Sequence, residues 1–366
     1  MNQVTDQQII EILRKEAVPA LGCTEPVACA LACAKCKEVL GSVPERLDVL
    51  VSGNIYKNGM GVGIPGTGMV GLPIAAALGA VCGKSEYGLE VLKEVNVGDN
   101  LQRAKDMLGQ VTVSLKEDAP DKLYAEALAT KGNDTVKVII AHTHTNIVLV
   151  EKNGEEIFKR EFRLDTSKPE DKGPELSVKR IWDFVHEVDV KDIEFVLQGA
   201  EMNKAISAEG LNSEYGLQIG KTLKENIDKG LLEDDLLNRT LIRATAASDA
   251  RMDGCPKPVM TNSGSGNQGI TVYLPVAAEK FGASREQLAR ALALSNLIAV
   301  HIHHYMGHLS ALCGILIAGT GAASAITYLM GGTYDNMVNT IKTMCSNLTG
   351  MMCDGAKQGC ALKVYS

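Results

Sequence analysis

From Leu309 to Met330 the chain carries no charged residue, and a stretch of that length belongs either across a bilayer or through the middle of a packed protein. Its composition favours the second. Gly314, Gly319 and Gly321 interrupt the run, alanine and serine fill much of the remainder, and no Trp, Lys or Arg anchors flank it. We read it as a tightly packed central helix carrying Cys313 at its start, in a chain with no membrane partner. The 366 residues are 45% hydrophobic, ample for a core that needs no covalent staples.

The formal net charge of -7, with no long basic run, excludes the electrostatic footprint of a nucleic-acid or anionic-membrane binder. Ten cysteines would suit a disulfide framework in a small secreted protein. The first residues, Met1 to Ile10, have neither a basic nor an apolar leader segment, so the expected compartment is the reducing cytoplasm and the cysteines are expected as thiols.

Ile9, Ile10, Leu13 and Val18 recur at helical spacing, Pro19 interrupts, and Val27 to Leu40 form an Ala-rich second helix. Cys29, Cys33 and Cys36 share one face of it and read as small packing residues. From Leu47 the pattern changes to strands. Val111–Leu115, Val136–His144 and Ile147–Lys152 alternate or run β-branched, and Asn153-Gly154 marks a hairpin before Ile157 to Phe162. Asp165 to Pro174 reads as a polar linker, and beyond Leu176 nearly everything reads as helix. The expected fold is α+β: a mainly helical domain from residues 1–46 and 170–366, with a β-rich subdomain, 47–169, inserted.

Cys353-Asp-Gly-Ala-Lys-Gln-Gly-Cys360 pairs two thiols among glycines, and Cys313 joins them only if its helix packs against that loop. One such pair is half of a usual zinc set, whereas three thiolates with a vacant position suit an iron-sulfur cluster. His301, His303, His304 and His308 lack the Glu of a metalloprotease motif and read as neighbours of Cys313 or as core. Thr261 to Gly269 has the glycines and hydroxyls of a backbone nest for a carboxylate or phosphate, with no Walker lysine; Asn58 to Gly68 fails the dinucleotide fingerprint. Cys23 follows a glycine and opens a helix, where an exposed thiol has a lowered pKa and serves as nucleophile, base or ligand.

Together, Ala20-Leu-Gly-Cys-Thr-Glu-Pro26, Ser52 to Gly66, Thr261 to Gly269, His303-His304 with Cys313, and Met352 to Lys363 resemble the cysteine desulfidase family, related to the alpha chain of iron-sulfur L-serine dehydratases. The resemblance spans nearly the whole chain. It implies a [4Fe-4S] cluster on Cys313, Cys353 and Cys360, Cys23 as the base or a resting ligand, and L-cysteine cleaved to sulfide, ammonia and pyruvate through aminoacrylate. L-serine is the alternative small-molecule substrate, and a homodimer is expected. Beyond the resemblance, we expect Ser263, Ser265 and Asn267, with Ser52 and Asn54, to hold the substrate carboxylate, and Lys357 or Arg251 to supply charge. Family chains continue past the Gly-Cys-Ala-Leu-Lys stretch, whereas this one stops at Ser366, so a truncated, non-catalytic metal-binding member is the remaining alternative.

Overall fold

The computed structural model describes residues 4–160, 176–277, 282–306, 310–347 and 350–366. The expected linker from Asp165 to Pro174 and its 169/170 boundary lie outside the described residues, as does His308. The architecture is α+β. Its principal sheet has six strands, in the order Val111–Leu115, Arg46–Val51, Tyr124–Lys131, Asp134–Ala141, Ile147–Lys152, Glu155–Lys159. Only the first pair is parallel; the last four strands follow one another through short connections and pair antiparallel, while Arg46–Val51 pairs antiparallel with Tyr124–Lys131 across a long intervening segment. Asn153 and Gly154 turn the last hairpin with φ of 52° and 85°, the double left-handed geometry that an Asn-Gly pair accommodates.

Register sets Val49 opposite Ala127, Ala127 opposite Val138 and Val138 opposite Val150, making one buried apolar stripe across the sheet. Helices Thr24–Leu40 and Leu72–Val81 share that core. Cys29, Cys33 and Cys36 are fully buried there, and Cys36 Sγ lies 3.5 and 3.6 Å from the carbonyl oxygens of Ala127 and Val136. The sequence pattern places both N-terminal helices with the C-terminal mass. Only Asp6–Glu16 packs there, through Ile9 and Leu13 against Phe184 and Leu297. Thr24–Leu40 joins the sheet because the small residues of its middle turns are apolar all round and let a second helix approach to backbone contact: a Cβ on Gly79 would sit 2.1 Å from Ala30 O.

The charge-free run forms a helix over Gly314–Leu329, packed along Arg285–Met306. No helix among the described residues is long and apolar enough to cross a membrane. One of its glycines has a direct packing reason, since a Cβ on Gly321 would stand 2.3 Å from Ser295 O of the neighbouring helix. Gly321→Ala should therefore destabilise the protein by about 2–3 kcal/mol, the usual cost of overpacking a core, read as a lower denaturation midpoint at unchanged slope. An unshifted midpoint would show that the two helices separate freely.

Candidate active site

Two short strands, Pro19–Ala20 and Val259–Met260, bring distant loops together. Thr261 extends the contact by donating its N–H and its hydroxyl to Val18 O at 2.9 and 2.7 Å. Beyond the strands Gly22, at φ 78°, turns the chain so that Cys23 caps the helix Thr24–Leu40, while Ser263 and Gly264, at φ 49° and 74°, make the facing turn. Thr24 Oγ1 lies 3.2 Å from Gly264 O and joins the two. Both loops line a cavity of about 160 Å³, together with Cys313, Cys353 and Cys360.

The thiols arrive by separate routes. Leu312 and Met352 form an isolated antiparallel bridge; Cys313 N–H donates to Met351 O at 2.9 Å and Cys353 N–H to Ala311 O at 2.7 Å. Successive side chains alternate in such a pairing, so Cys313 and Cys353 stand diagonally on the same side. Cys360 opens the short helix Cys360–Tyr365, its N–H donating to Lys357 O at 2.9 Å. Gly355, at φ 99°, allows the loop between to lie against Lys57 O, where a Cβ would come within 2.5 Å. Burial raises the thiol pKa values of Cys313 and Cys360, opposed in part by the positive charge of Lys363 and, for Cys360, Arg251.

Cys23 corrects the sequence expectation. It is 3% exposed, packed with Val62 and Met252, and burial pushes its thiol up to about 12. The neighbouring Arg251 guanidinium pulls the other way without overcoming the desolvation. A helix-start position lowers a thiol pKa only where solvent or charge can support the thiolate, and here apolar side chains cover it.

Arg251, at the end of the helix Leu236–Met252, is itself buried, donating from Nη1 to Asn267 Oδ1 at 3.1 Å and from Nη2 to Gly22 O at 3.2 Å. Its Nε has no partner and lies against Gly266, where a Cβ would clash at 2.2 Å. The expected backbone nest is largely occupied. Asn262 and Ser265 donate to each other's carbonyls at 3.1 and 2.9 Å, and Ser263 N–H donates to Glu16 O at 3.1 Å. The side-chain donors at the wall include Arg251 and Gln268, beside the hydroxyls of Ser263 and Ser265.

The structure does not bring Ser52, Asn54 or Lys357 to the cavity wall. Ser52 Oγ donates to Lys122 O at 2.6 Å and accepts from Tyr124 N–H at 3.3 Å, tying the end of one strand to the start of the next. Asn54 lies in the first turn of the helix Gly53–Gly59, and Lys357 pairs with Asp354 at 2.5 Å. Of the histidines, His303 lines the cavity and His304 stacks edge-on with Tyr305. The wall also holds Glu25, Asn58, His144 and Gln268, to which the sequence reading gave no role. Three of these sit inside the recognised motifs; His144 sits in the turn between two sheet strands and carried no signal of its own.

Soft thiolates are the donors that iron-sulfur clusters take, and four cysteines, Cys23, Cys313, Cys353 and Cys360, border this cavity. Among the described residues no group of three or more His, Cys, Asp or Glu side chains is gathered as it would be around a single metal ion.

The chain belongs to the serine dehydratase alpha chain family, whose model matches residues 86–366. Among curated proteins it is 48% identical over 374 residues to the UPF0597 protein of Parabacteroides distasonis, covering all of this chain and 86% of that one. It is 47% identical over 362 residues to the UPF0597 protein of Oleidesulfovibrio alaskensis, covering 98% and 84%. That membership supports a lyase-type activity on a small molecule.

Proposed function

We propose that the protein eliminates the β-substituent of a small α-amino acid, with L-cysteine as substrate and sulfide, ammonia and pyruvate as products. The observation that carries this reading is that Cys23, Cys313, Cys353 and Cys360 line one cavity with Arg251 and residues of the Ser263–Gln268 segment. Cys313, Cys353 and Cys360 would hold a [4Fe-4S] cluster. When bound, such a cluster supplies a Lewis-acidic iron at which a β-sulfur or β-oxygen becomes a better leaving group.

The chain's own residues do the rest. Arg251 and Gln268 bind and orient the carboxylate, with Ser263, Ser265 and Asn267 beside them, and so fix Cα. Cys23 accepts the Cα proton as the C–S bond breaks; the aminoacrylate released tautomerises to an imine, which water hydrolyses to pyruvate and ammonium. Burial keeps Cys23 protonated at neutral pH in the ligand-free chain, so it must first give its proton to solvent, from which the departing sulfide regains one, and the Arg251 charge beside it favours that loss. Once formed, a thiolate of so high a pKa is a strong base. The family description favours L-serine as a second substrate, hydroxide leaving where thiolate otherwise would. The reading includes a homodimer in a reducing cytoplasm, the first checked by light scattering.

The test is iron and acid-labile sulfide after anaerobic reconstitution, followed by assays on L-cysteine and L-serine. Wild type should hold about four of each per chain, and Cys353→Ala should fall well below that and lose turnover. Stoichiometric zinc, or equal iron in both proteins, would overturn the assignment.

A further inference from the structure

The cavity wall carries buried polar groups that the fold leaves unmet. Asn58 is 7% exposed, and its Nδ2 donates to Glu25 Oε1 at 2.9 Å. That bond fixes the amide and leaves Oδ1 as a buried acceptor without a partner. Glu25 lines the same cavity, its other oxygen accepting from Thr24 Oγ1 at 3.3 Å, with no Lys or Arg paired to it among the described residues. Gln268 shows the reverse: it is 3% exposed, and its Nε2 is a buried donor without a partner.

The two kinds of group come from different elements. The acceptors belong to the start of Thr24–Leu40 and to Gly53–Gly59, the donors to Leu236–Met252 and Gly266–Tyr273. An unpaired carboxylate and an unmet carbonyl at a cavity are costly unless a cation with several N–H donors meets them. A buried guanidinium and an unmet amide N–H call for an anion. A small zwitterion satisfies both sets at once, whereas a dicarboxylate or a phosphate ester would set its charge against Glu25.

Resting on the amino-acid reading above, we propose that Glu25 and Asn58 form the subsite for the substrate's α-ammonium and thereby select amino acids over hydroxy and keto acids. Glu25 supplies the charge, and Asn58 Oδ1 supplies a second acceptor held in place by the Asn58–Glu25 hydrogen bond. Neither residue exchanges a proton with Cα; they are specificity and positioning residues. An α-hydroxy acid of the same shape leaves both acceptors unmet, a mismatch that sites of this kind reject strongly.

The experiment is calorimetric binding of L-alanine, which keeps the amino-acid head and has no β leaving group, against L-lactate, to the full chain as purified and after reconstitution. Wild type should prefer L-alanine by about 100-fold or more, and Glu25→Gln should cut that preference below about 10-fold with lactate affinity unchanged. Asn58→Ala should weaken L-alanine by about 10-fold and spare lactate, and it carries the test if Glu25→Gln does not fold. An unchanged preference in either folded variant overturns the ammonium subsite while leaving the amino-acid reading intact. A wild type that binds none of L-alanine, L-serine or L-cysteine overturns both.

Discussion

Cys23→Ser should lower turnover of L-cysteine by about 10³-fold, within the range of positioned general bases, while iron and sulfide content stay near wild type. The substitution nearly conserves volume, and the site is closed by Val62 and Met252, so little repacking is expected. What changes is the acid-base chemistry. A buried serine hydroxyl cannot be ionised by one neighbouring guanidinium, whereas the thiol is held at about 12 by burial against the pull of Arg251. The loss should fall on kcat, since the groups assigned to the carboxylate and ammonium ends are untouched. If serine retained turnover within tenfold of wild type with a full cluster, the proton would have to leave to another group, and His144 and His303 are the titratable rings at the cavity wall. Loss of cluster in the same variant would instead make Cys23 a ligand.

Much of the fold was legible because burial leaves marks in composition. The charge-free run after Leu309 reads as a central helix, and the Asn153-Gly154 pair reads as a hairpin whose φ values follow from that chemistry. The fate of Thr24–Leu40 was not legible, because its middle turns, Val27 to Ala34, are apolar on every side and carry no directional signal, and either mass could have covered them. The same limit applies within the site. Residue type and spacing mark Cys313, Cys353 and Cys360 as a candidate set, but solvent access at Cys23 depends on Val62 and Met252, which belong to other segments. Ser52 resembles a turn hydroxyl until the backbone at Lys122 and Tyr124 is seen to engage it on both sides. His144 reaches the cavity only because the sheet unit docks beside the helices, a juxtaposition that no local pattern encodes.

Arg251→Met should raise KM for the amino acid by about 100-fold and also destabilise the protein by about 2–4 kcal/mol, because it removes a buried charge together with the partners of two buried acceptors. Arg251 is 5% exposed, and loss of its guanidinium strands Asn267 Oδ1 and Gly22 O, the second of which belongs to the turn that presents Cys23. Stability and binding separate in Arg251→Lys. A lysine keeps the positive charge but cannot reach both acceptors as the planar fork does, so this variant should recover part of KM and little of the melting temperature. The pH profile supplies a third, independent readout. Arg251 opposes the desolvation of Cys23, so removing its charge raises an already elevated thiol pKa, and the ascending limb of kcat should move to higher pH in Arg251→Met and stay near wild type in Arg251→Lys. A Met variant with KM within threefold of wild type and an unmoved limb would show that neither the carboxylate nor the thiol feels this cation. The substrate's negative end would then have to be held by Gln268 and the Ser263–Ser265 hydroxyls alone.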